Sequence, residues 1–300
     1  MAGTDTVSVA CVNFSTKWGN KAANLARIKA MSRQAARQGS QVIVFPELAL
    51  SGYECADMQT GGKKSCAMHG DLAETVPGPS TRDICALARE LGVCIVFGMP
   101  ERDETDPDLL YICSVIAGPQ GLIGKYRKLH LAPLPRFTER LCFTPGDSIP
   151  VFPTRFGTLG VLICYDFYFY PELARIMTLK GADLLINTSA SGTGPGKPCF
   201  ITQQTGCRAT ENGVYAASAN LVGKERTNSY YGHSVIAGPC PPRPATVFAR
   251  GGDTEEIVSA TLNLNMLRER NRMLDWQQHR QAGLILTEMN RLTKGFIELI

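Results

Sequence analysis

Two periodicities alternate along this chain of 300 residues. Short apolar runs rich in β-branched residues occur at 7–12, 42–45, 93–97, 159–163, 183–187 and 214–219, and each reads as a buried strand. Between them the period lengthens to that of a helix. Over 20–38, Leu25, Ile28, Met31 and Ala35 share one face and Gly39 ends the pattern. Over 80–91, Ile84, Leu87, Ala88 and Leu91 do the same, with Ser80 in the capping position and Gly92 closing the helix. Pro171 and Glu172 open a third helix reaching 180, because proline suits a first turn whose N–H has no partner, and a fourth covers about 200–211. The runs 111–117 and 122–126, joined by G-P-Q-G, predict a hairpin, and 232–237 and 257–262 predict further strands. From about 266 to 300 the pattern is helical but only loosely amphipathic.

Strand and helix thus alternate in both halves, and no linker or charge block divides them. The pattern predicts one α/β domain over 1–300 with two similar halves and a C-terminal helical tail, although no sequence repeat relates the halves. The exception to the rhythm is 51–78, a stretch rich in Gly, Lys and Cys. A connection of that length inside a compact domain tends to serve function, and a lid over 54–78 is left open by the residues.

Composition excludes several classes. The charge of +4 is small and scattered, and its densest run, Lys125 to Lys128 with Tyr126 inside it, is too short for a nucleic-acid surface. No apolar stretch reaches the length of a membrane helix, and M-A-G-T-D-T lacks the charged-then-apolar order of a secretory leader. Eleven cysteines without a C-x-x-C pair predict reduced thiols in a cytoplasmic compartment. The four histidines are dispersed, so no metal site is expected.

Three strand ends carry candidate chemistry. The run F-G-T-L-G-V-L-I-C delivers Cys164 to a strand-to-helix junction, where unpaired backbone N–H groups favour a thiolate. The plainer account is a small buried side chain, the commonest fate of a free cysteine. Glu47 follows the strand at 42–45 and a proline. It reads either as a solvated carboxylate or as a general base whose pKa is raised by burial. Lys128, in K-Y-R-K-L-H-L, is either a surface lysine or a cation placed for a thiol and an oxyanion. All three stand where an α/β sheet gathers its active-site groups.

At these residues the chain resembles the nitrilase, or carbon–nitrogen hydrolase, superfamily. The matching motifs are F-P-E-L-A-L-S-G-Y around Glu47, Y-R-K-L-H-L around Lys128, and G-V-L-I-C-Y-D with P-E-L-A-R around Cys164. F-T-P-G-D at 143–147, R-A-T-E-N-G-V-Y at 208–215 and G-H-S-V-I at 232–236 extend the likeness over essentially the whole chain. The resemblance implies a four-layer α-β-β-α sandwich, commonly paired into homodimers or larger homo-oligomers, that needs no metal or organic cofactor. It casts Cys164 as nucleophile, Glu47 as general base and Lys128 as oxyanion-stabilising cation. Glu139 corresponds to a second glutamate near the lysine, and reads equally as an ordinary loop carboxylate. Tyr165 would supply a backbone oxyanion donor, while Tyr53, Asp166, Phe167 and the 189–198 loop would line the substrate pocket. The aromatic run at 167–170 is otherwise explained by core packing. This chain has six residues between Cys164 and Pro171 where the family usually has five, which alters the pocket wall.

Tyr165 and Asp166 after the cysteine resemble the amidase and carbamoylase branches, whereas nitrilases usually carry tryptophan and glutamate there. The implied activity is cysteine-dependent hydrolysis of a small amide or N-carbamoyl compound through a thioester. Alternatives are nitrile hydrolysis, acyl transfer on the same site, a Cys-His hydrolase using His130 or His233, and a non-catalytic interaction protein on the same fold.

Overall fold

In a computed structural model, residues 5–54, 67–133 and 139–297 are described. The first half runs β1 (Thr6–Asn13), α1 (Lys21–Arg37), β2 (Val42–Val44), α2 (Ala67–Leu72), α3 (Pro79–Leu91), β3 (Cys94–Arg102), β4 (Leu110–Gly118), β5 (Gly121–Arg127) and α4 (Glu139–Cys142). The second runs β6 (Phe152–Thr154), β7 (Gly157–Ile163), α5 (Tyr165–Phe169), α6 (Pro171–Leu179), β8 (Leu184–Ser189), α7 (Lys197–Asn212) and β9 (Tyr215–Asn220). It continues through β10 (Val222–Lys224), β11 (Ser229–Tyr231), β12 (Val235–Cys240), β13 (Arg243–Arg250) and β14 (Glu256–Asn263) to α8 (Leu264–Leu274) and α9 (Ala282–Ile297).

The strands form two six-stranded sheets, ordered β14-β1-β2-β3-β4-β5 and β13-β12-β9-β8-β7-β6, plus the small β10-β11 ribbon. In the first, β1, β2 and β3 are parallel and β4 and β5 return antiparallel. In the second, β7, β8 and β9 are parallel and β12 and β13 return antiparallel. The two halves expected from the alternation therefore share one topology, with parallel strands crossing over through helices as they must. Helices α1 and α3 cover the first sheet, α6 and α7 cover the second, and β1 faces β9 between them. This is an α-β-β-α sandwich.

The periodic faces explain the layers. Ile28 and Ala35 of α1 and Ile84 and Leu87 of α3 pack with Ile43, Phe45, Ile95 and Phe97 in one buried cluster. Each of the Ile, Leu and Phe side chains contributes about 1.5–3 kcal/mol on burial. Ser80 does not cap α3. The cap is Gly78 with Pro79 in the first turn, and the Ser80 N–H and hydroxyl instead donate to Glu74 at 2.7 and 2.8 Å. A buried carboxylate outcompetes the helix end for that side chain.

The chain divides into two compact units, Met1–Leu264 and Asn265–Ile300, and both sheets lie in the first. In the second, α9 exposes Leu284, Leu286 and Leu292. No helix among the described residues is long and apolar enough to cross a membrane. Cys142 is disulfide-bonded, which corrects the expectation that every cysteine is reduced.

Candidate active site

Glu47 is delivered by a strand that stops early. The chain leaves β2 through Phe45 and Pro46, and Leu48 then takes a positive φ of 49° that turns the backbone sharply. The Ser51 and Gly52 N–H groups close this turn on the Leu48 carbonyl at 3.1 and 2.8 Å. Strand β3 passes directly behind it, where Gly98 donates to Pro46 O at 3.2 Å and accepts from Leu50 N at 3.1 Å. A Cβ at Gly98 would lie 2.4 Å from Leu48 N, so only glycine allows that approach. Glu47 ends with no solvent exposure.

Lys128 is sorted from its basic neighbours by strand alternation. Lys125 and Arg127 point to one face of β5 and pair with the buried Glu101, Arg127 through Nε at 3.0 Å. Tyr126 and Lys128 point to the other, and both are buried. The Lys128 carbonyl accepts from Gly146 N at 2.8 Å, and a Cβ at Gly146 would meet Arg127 O at 2.5 Å. The glycine of the 143–147 motif thus lets that segment close on the lysine.

Cys164 lies between β7 and the short α5 with φ 45° and ψ −95°. Such a conformation costs about 1–3 kcal/mol and persists only where the surroundings enforce it. Here its N–H is shared by Thr188 O and Asn187 Oδ1, each at 3.0 Å, on the adjacent strand β8. Ser189 Oγ, from the end of that strand, reaches the sulfur at 3.5 Å.

The three segments converge on one ammonium. Lys128 Nζ donates to Glu47 Oε1 at 2.7 Å and to Glu139 Oε1 at 2.8 Å. The other Glu47 oxygen accepts from Ala190 N at 3.1 Å. Glu139 also accepts from the Tyr53 hydroxyl at 2.5 Å and from Ala132 N at 2.8 Å. Two carboxylates thus share one cation. Burial is the strongest influence on Glu47 and raises it to about 7; Lys128 opposes the shift, Glu139 adds to it, and a hydrogen bond with the Cys164 thiol pulls it back. Burial also acts against the Lys128 charge, but Glu139 and Glu47 overcome it and hold the ammonium well above its usual range. The Cys164 thiol is pushed up to about 12 by burial and by Glu47, against Lys128 and Ser189. Burial and Glu47 thus oppose the thiolate that the strand-to-helix junction favours.

Cys164 opens on a cavity of about 400 Å³, also lined by Tyr53, Glu139, Tyr165, Tyr168 and Tyr230. Asp166 and Phe167, expected in the pocket wall, are not among the residues that line this cavity. Alternation within one helical turn sends them inward. Phe167 is fully buried, with its carbonyl accepting from Arg208 Nε at 2.8 Å. Asp166 is buried too and takes four donors from the Lys128 segment: Tyr126 Oη, Leu129 N, His130 N and His130 Nδ1. The six residues before Pro171 form α5 and then Tyr170, whose ring stacks on His130 at 3.4 Å. Neither His130 nor His233 lines the cavity.

Of the 189–198 loop, residues 190–193 and Lys197 reach the cavity wall. Tyr168, in the aromatic run that packing alone would explain, lines the cavity and shares a hydrogen bond with Ser189 Oγ over 3.0 Å. Ser189, counted in that loop by the sequence, is instead the last residue of β8, and its contact is with the Cys164 sulfur. The wall from Thr227 to Tyr230 was missed for want of a signal, because the ribbon that presents it is only three residues per strand. Of the stretch 54–78, where a lid was left open, residues 55–66 lie outside the described residues and Ala67–Leu72 form α2.

Comparison with known proteins identifies the family and the fold. Residues 8–272 match the carbon-nitrogen hydrolase family. A nitrilase of Pyrococcus abyssi is 36% identical over 267 residues, covering 88% of this chain and 92% of that one. The human omega-amidase NIT2 is 30% identical over 281 residues, covering 90% and 94%. Among solved structures, Saccharomyces cerevisiae Nit3, described as a branch 10 member of the nitrilase superfamily, superposes with a TM-score of 0.76 at 28% identity, covering 90% and 94%. A carbon-nitrogen hydrolase of Helicobacter pylori gives 0.79 at 25%, covering 93% and 96%.

Proposed function

The chain belongs to the carbon–nitrogen hydrolase family, and from that premise we propose that it hydrolyses a small amide or N-carbamoyl compound through a thioester on Cys164. The observation that carries the reading is the single buried ammonium held by Glu47 and Glu139 at 2.7 and 2.8 Å, with the cavity-facing Cys164 thiol within the electrostatic reach of that same Glu47.

Because burial and Glu47 both disfavour a free thiolate, attack and proton transfer occur together. Glu47 takes the thiol proton as Sγ bonds to the carbonyl carbon, and the carbonyl π pair moves to oxygen. Two of the three Lys128 N–H bonds are committed to carboxylates, and the third is available to the oxyanion. Tyr165 begins α5, so its N–H lacks an intrahelical acceptor and serves as the second donor. Each such donor is worth about 3–4 kcal/mol of barrier. Collapse breaks the C–N bond while Glu47 protonates the leaving nitrogen, releasing ammonia or an amine. Water then gives its proton to Glu47 and attacks the thioester, and collapse breaks the C–S bond, returning the thiol and the acid. A homo-oligomer in the cytosol completes the reading, and light scattering of the purified chain tests its assembly.

The test is ammonia release from a panel of amides, N-carbamoyl compounds and nitriles, with Cys164→Ala as blank. Turnover of amides or ureido compounds, lost in Cys164→Ala and in Glu47→Gln, supports the reading. Turnover that survives in Cys164→Ala defeats it. The panel's nitrile arm decides the alternative substrate, and added amines reveal acyl transfer through their amide products.

A further inference from the structure

We infer that Lys197 is a specificity-determining residue that binds a carboxylate at the far end of the substrate, an assignment that rests on reading this cavity as the amide site. Three charged side chains line the cavity among the described residues, namely Glu54, Glu139 and Lys197. The two acids are already committed. Glu139 is held by Lys128, Tyr53 and Ala132 N. Glu54 accepts from Thr227 N at 2.8 Å, from Asn228 N at 3.1 Å and from the Thr227 hydroxyl. Lys197 is the exception. It makes no ion pair among the described residues, and its Nζ lies over the Phe200 ring, 4.9 Å from the centroid.

A cation over an aromatic face is held in place without being neutralised, so it stays ready for an anion. Its position has no explanation in helix stability, because Lys197 is the first residue of the 16-residue α7, where the dipole disfavours positive charge. The wall beneath it leads to the nucleophile. Phe200 packs on Tyr168 with centroids 5.0 Å apart, Tyr168 Oη meets Ser189 Oγ at 3.0 Å, and Ser189 Oγ meets Cys164 Sγ at 3.5 Å. A substrate whose carbonyl carbon sits at Cys164 and whose chain runs along this wall brings its other end to Lys197. Acids on the cavity side already satisfied by donors do not repel that end strongly, while an uncharged end leaves the ammonium without a partner.

The experiment compares charged and neutral substrates of equal length: succinamate against butyramide, and N-carbamoyl-β-alanine against N-propylurea. Wild-type enzyme is expected to favour the charged member of the hydrolysed pair by about tenfold to a hundredfold in kcat/KM, the range of one charge-assisted contact. Lys197→Met should bring that ratio to near one, mainly through KM, and Lys197→Arg should keep most of it. Equal use of both members by the wild type, or a preference that survives in Lys197→Met, overturns the assignment while leaving the amide reading intact. Failure to hydrolyse either charged compound while other amides of the panel are turned over overturns the assignment alone, and a panel with no Cys164-dependent turnover overturns both.

Discussion

Tyr126 and Asp166 are joined by a 2.7 Å hydrogen bond from phenol to carboxylate, and they lie two residues before Lys128 and two residues after Cys164. The same carboxylate accepts from Leu129 N at 2.9 Å and from His130 N and Nδ1, both at 2.8 Å. One buried side chain therefore fixes the strand end that carries Lys128 against the elbow that carries Cys164. Asp166 is fully buried and does not line the cavity, so its bonds support a positioning role.

Asp166→Asn keeps the volume but turns a donor toward donors, which costs about 1–3 kcal/mol for each bond lost. The expected result is a lower melting temperature and, at temperatures where the variant is still folded, kcat reduced more than tenfold with KM little changed. His130→Ala removes one of the four donors and leaves its backbone N–H in place, so it should lose much less. Steady-state kinetics beside thermal melts check both, and an Asp166→Asn enzyme with normal kcat would refute the coupling.

The acid limb of the pH profile originates in Glu47. Its carboxyl is raised from 4.5 to about 7, chiefly by burial. A general base must be unprotonated, so kcat/KM should rise with pH through about 7 and be low at pH 5. Glu139 contributes to the raised value through its own negative charge. Glu139→Gln removes that charge and leaves Lys128 to pair with Glu47 alone, and both changes favour the Glu47 carboxylate. The limb should move to lower pH even as kcat falls by about tenfold to a hundredfold. A limb that stays fixed or moves upward would show that another group titrates.

Gly98 makes a prediction from backbone alone. Alanine there would place Cβ 2.4 Å from Leu48 N and 2.5 Å from Pro46 O, on the two residues flanking the base. Neither contact is a flexible side-chain end, so the turn must move. Gly98→Ala should lower stability by about 1–3 kcal/mol or more and reduce turnover beyond what the loss of folded protein explains. Active-site titration of the folded fraction separates the two effects.

The roles of Asp166 and Gly98 mark the limit of what the sequence alone discloses. Glu47, Lys128 and Cys164 were legible because each follows a short apolar run, and strand ends are where a sheet gathers chemistry. The helices were legible where an apolar stripe meets the sheet, as with Ile28 and Ile84. Asp166 and Phe167 were misplaced because inward and outward facing residues within a five-residue helix differ by one position, too few for a period to register. Gly98 looked like any strand residue, since its reason lies in a backbone some fifty residues earlier, at Pro46 and Leu48. The strand β13 went unread because R-P-A-T-V-F-A-R mixes charge and proline along a sheet edge, where one side need not be apolar.

Glu225 supplies the last prediction. Its carboxylate accepts from Tyr53 N at 3.0 Å, Glu54 N at 2.8 Å, the Tyr230 hydroxyl at 3.1 Å and the Thr16 hydroxyl. It ties the segment after Glu47 to the β10-β11 ribbon, and these are the two sides of the cavity that present Tyr53, Glu54 and Tyr230. The Lys128 ammonium and the Cys164 backbone are held by other bonds. Glu225→Ala should therefore loosen the cavity walls more than the reacting groups. Losing one such anchored contact corresponds to about tenfold in binding, so KM should rise by about that factor while kcat falls less. Should kcat collapse with KM unchanged, the clamp would be acting through Tyr53 on Glu139, and the walls and the charged centre would have to be treated as one rigid unit.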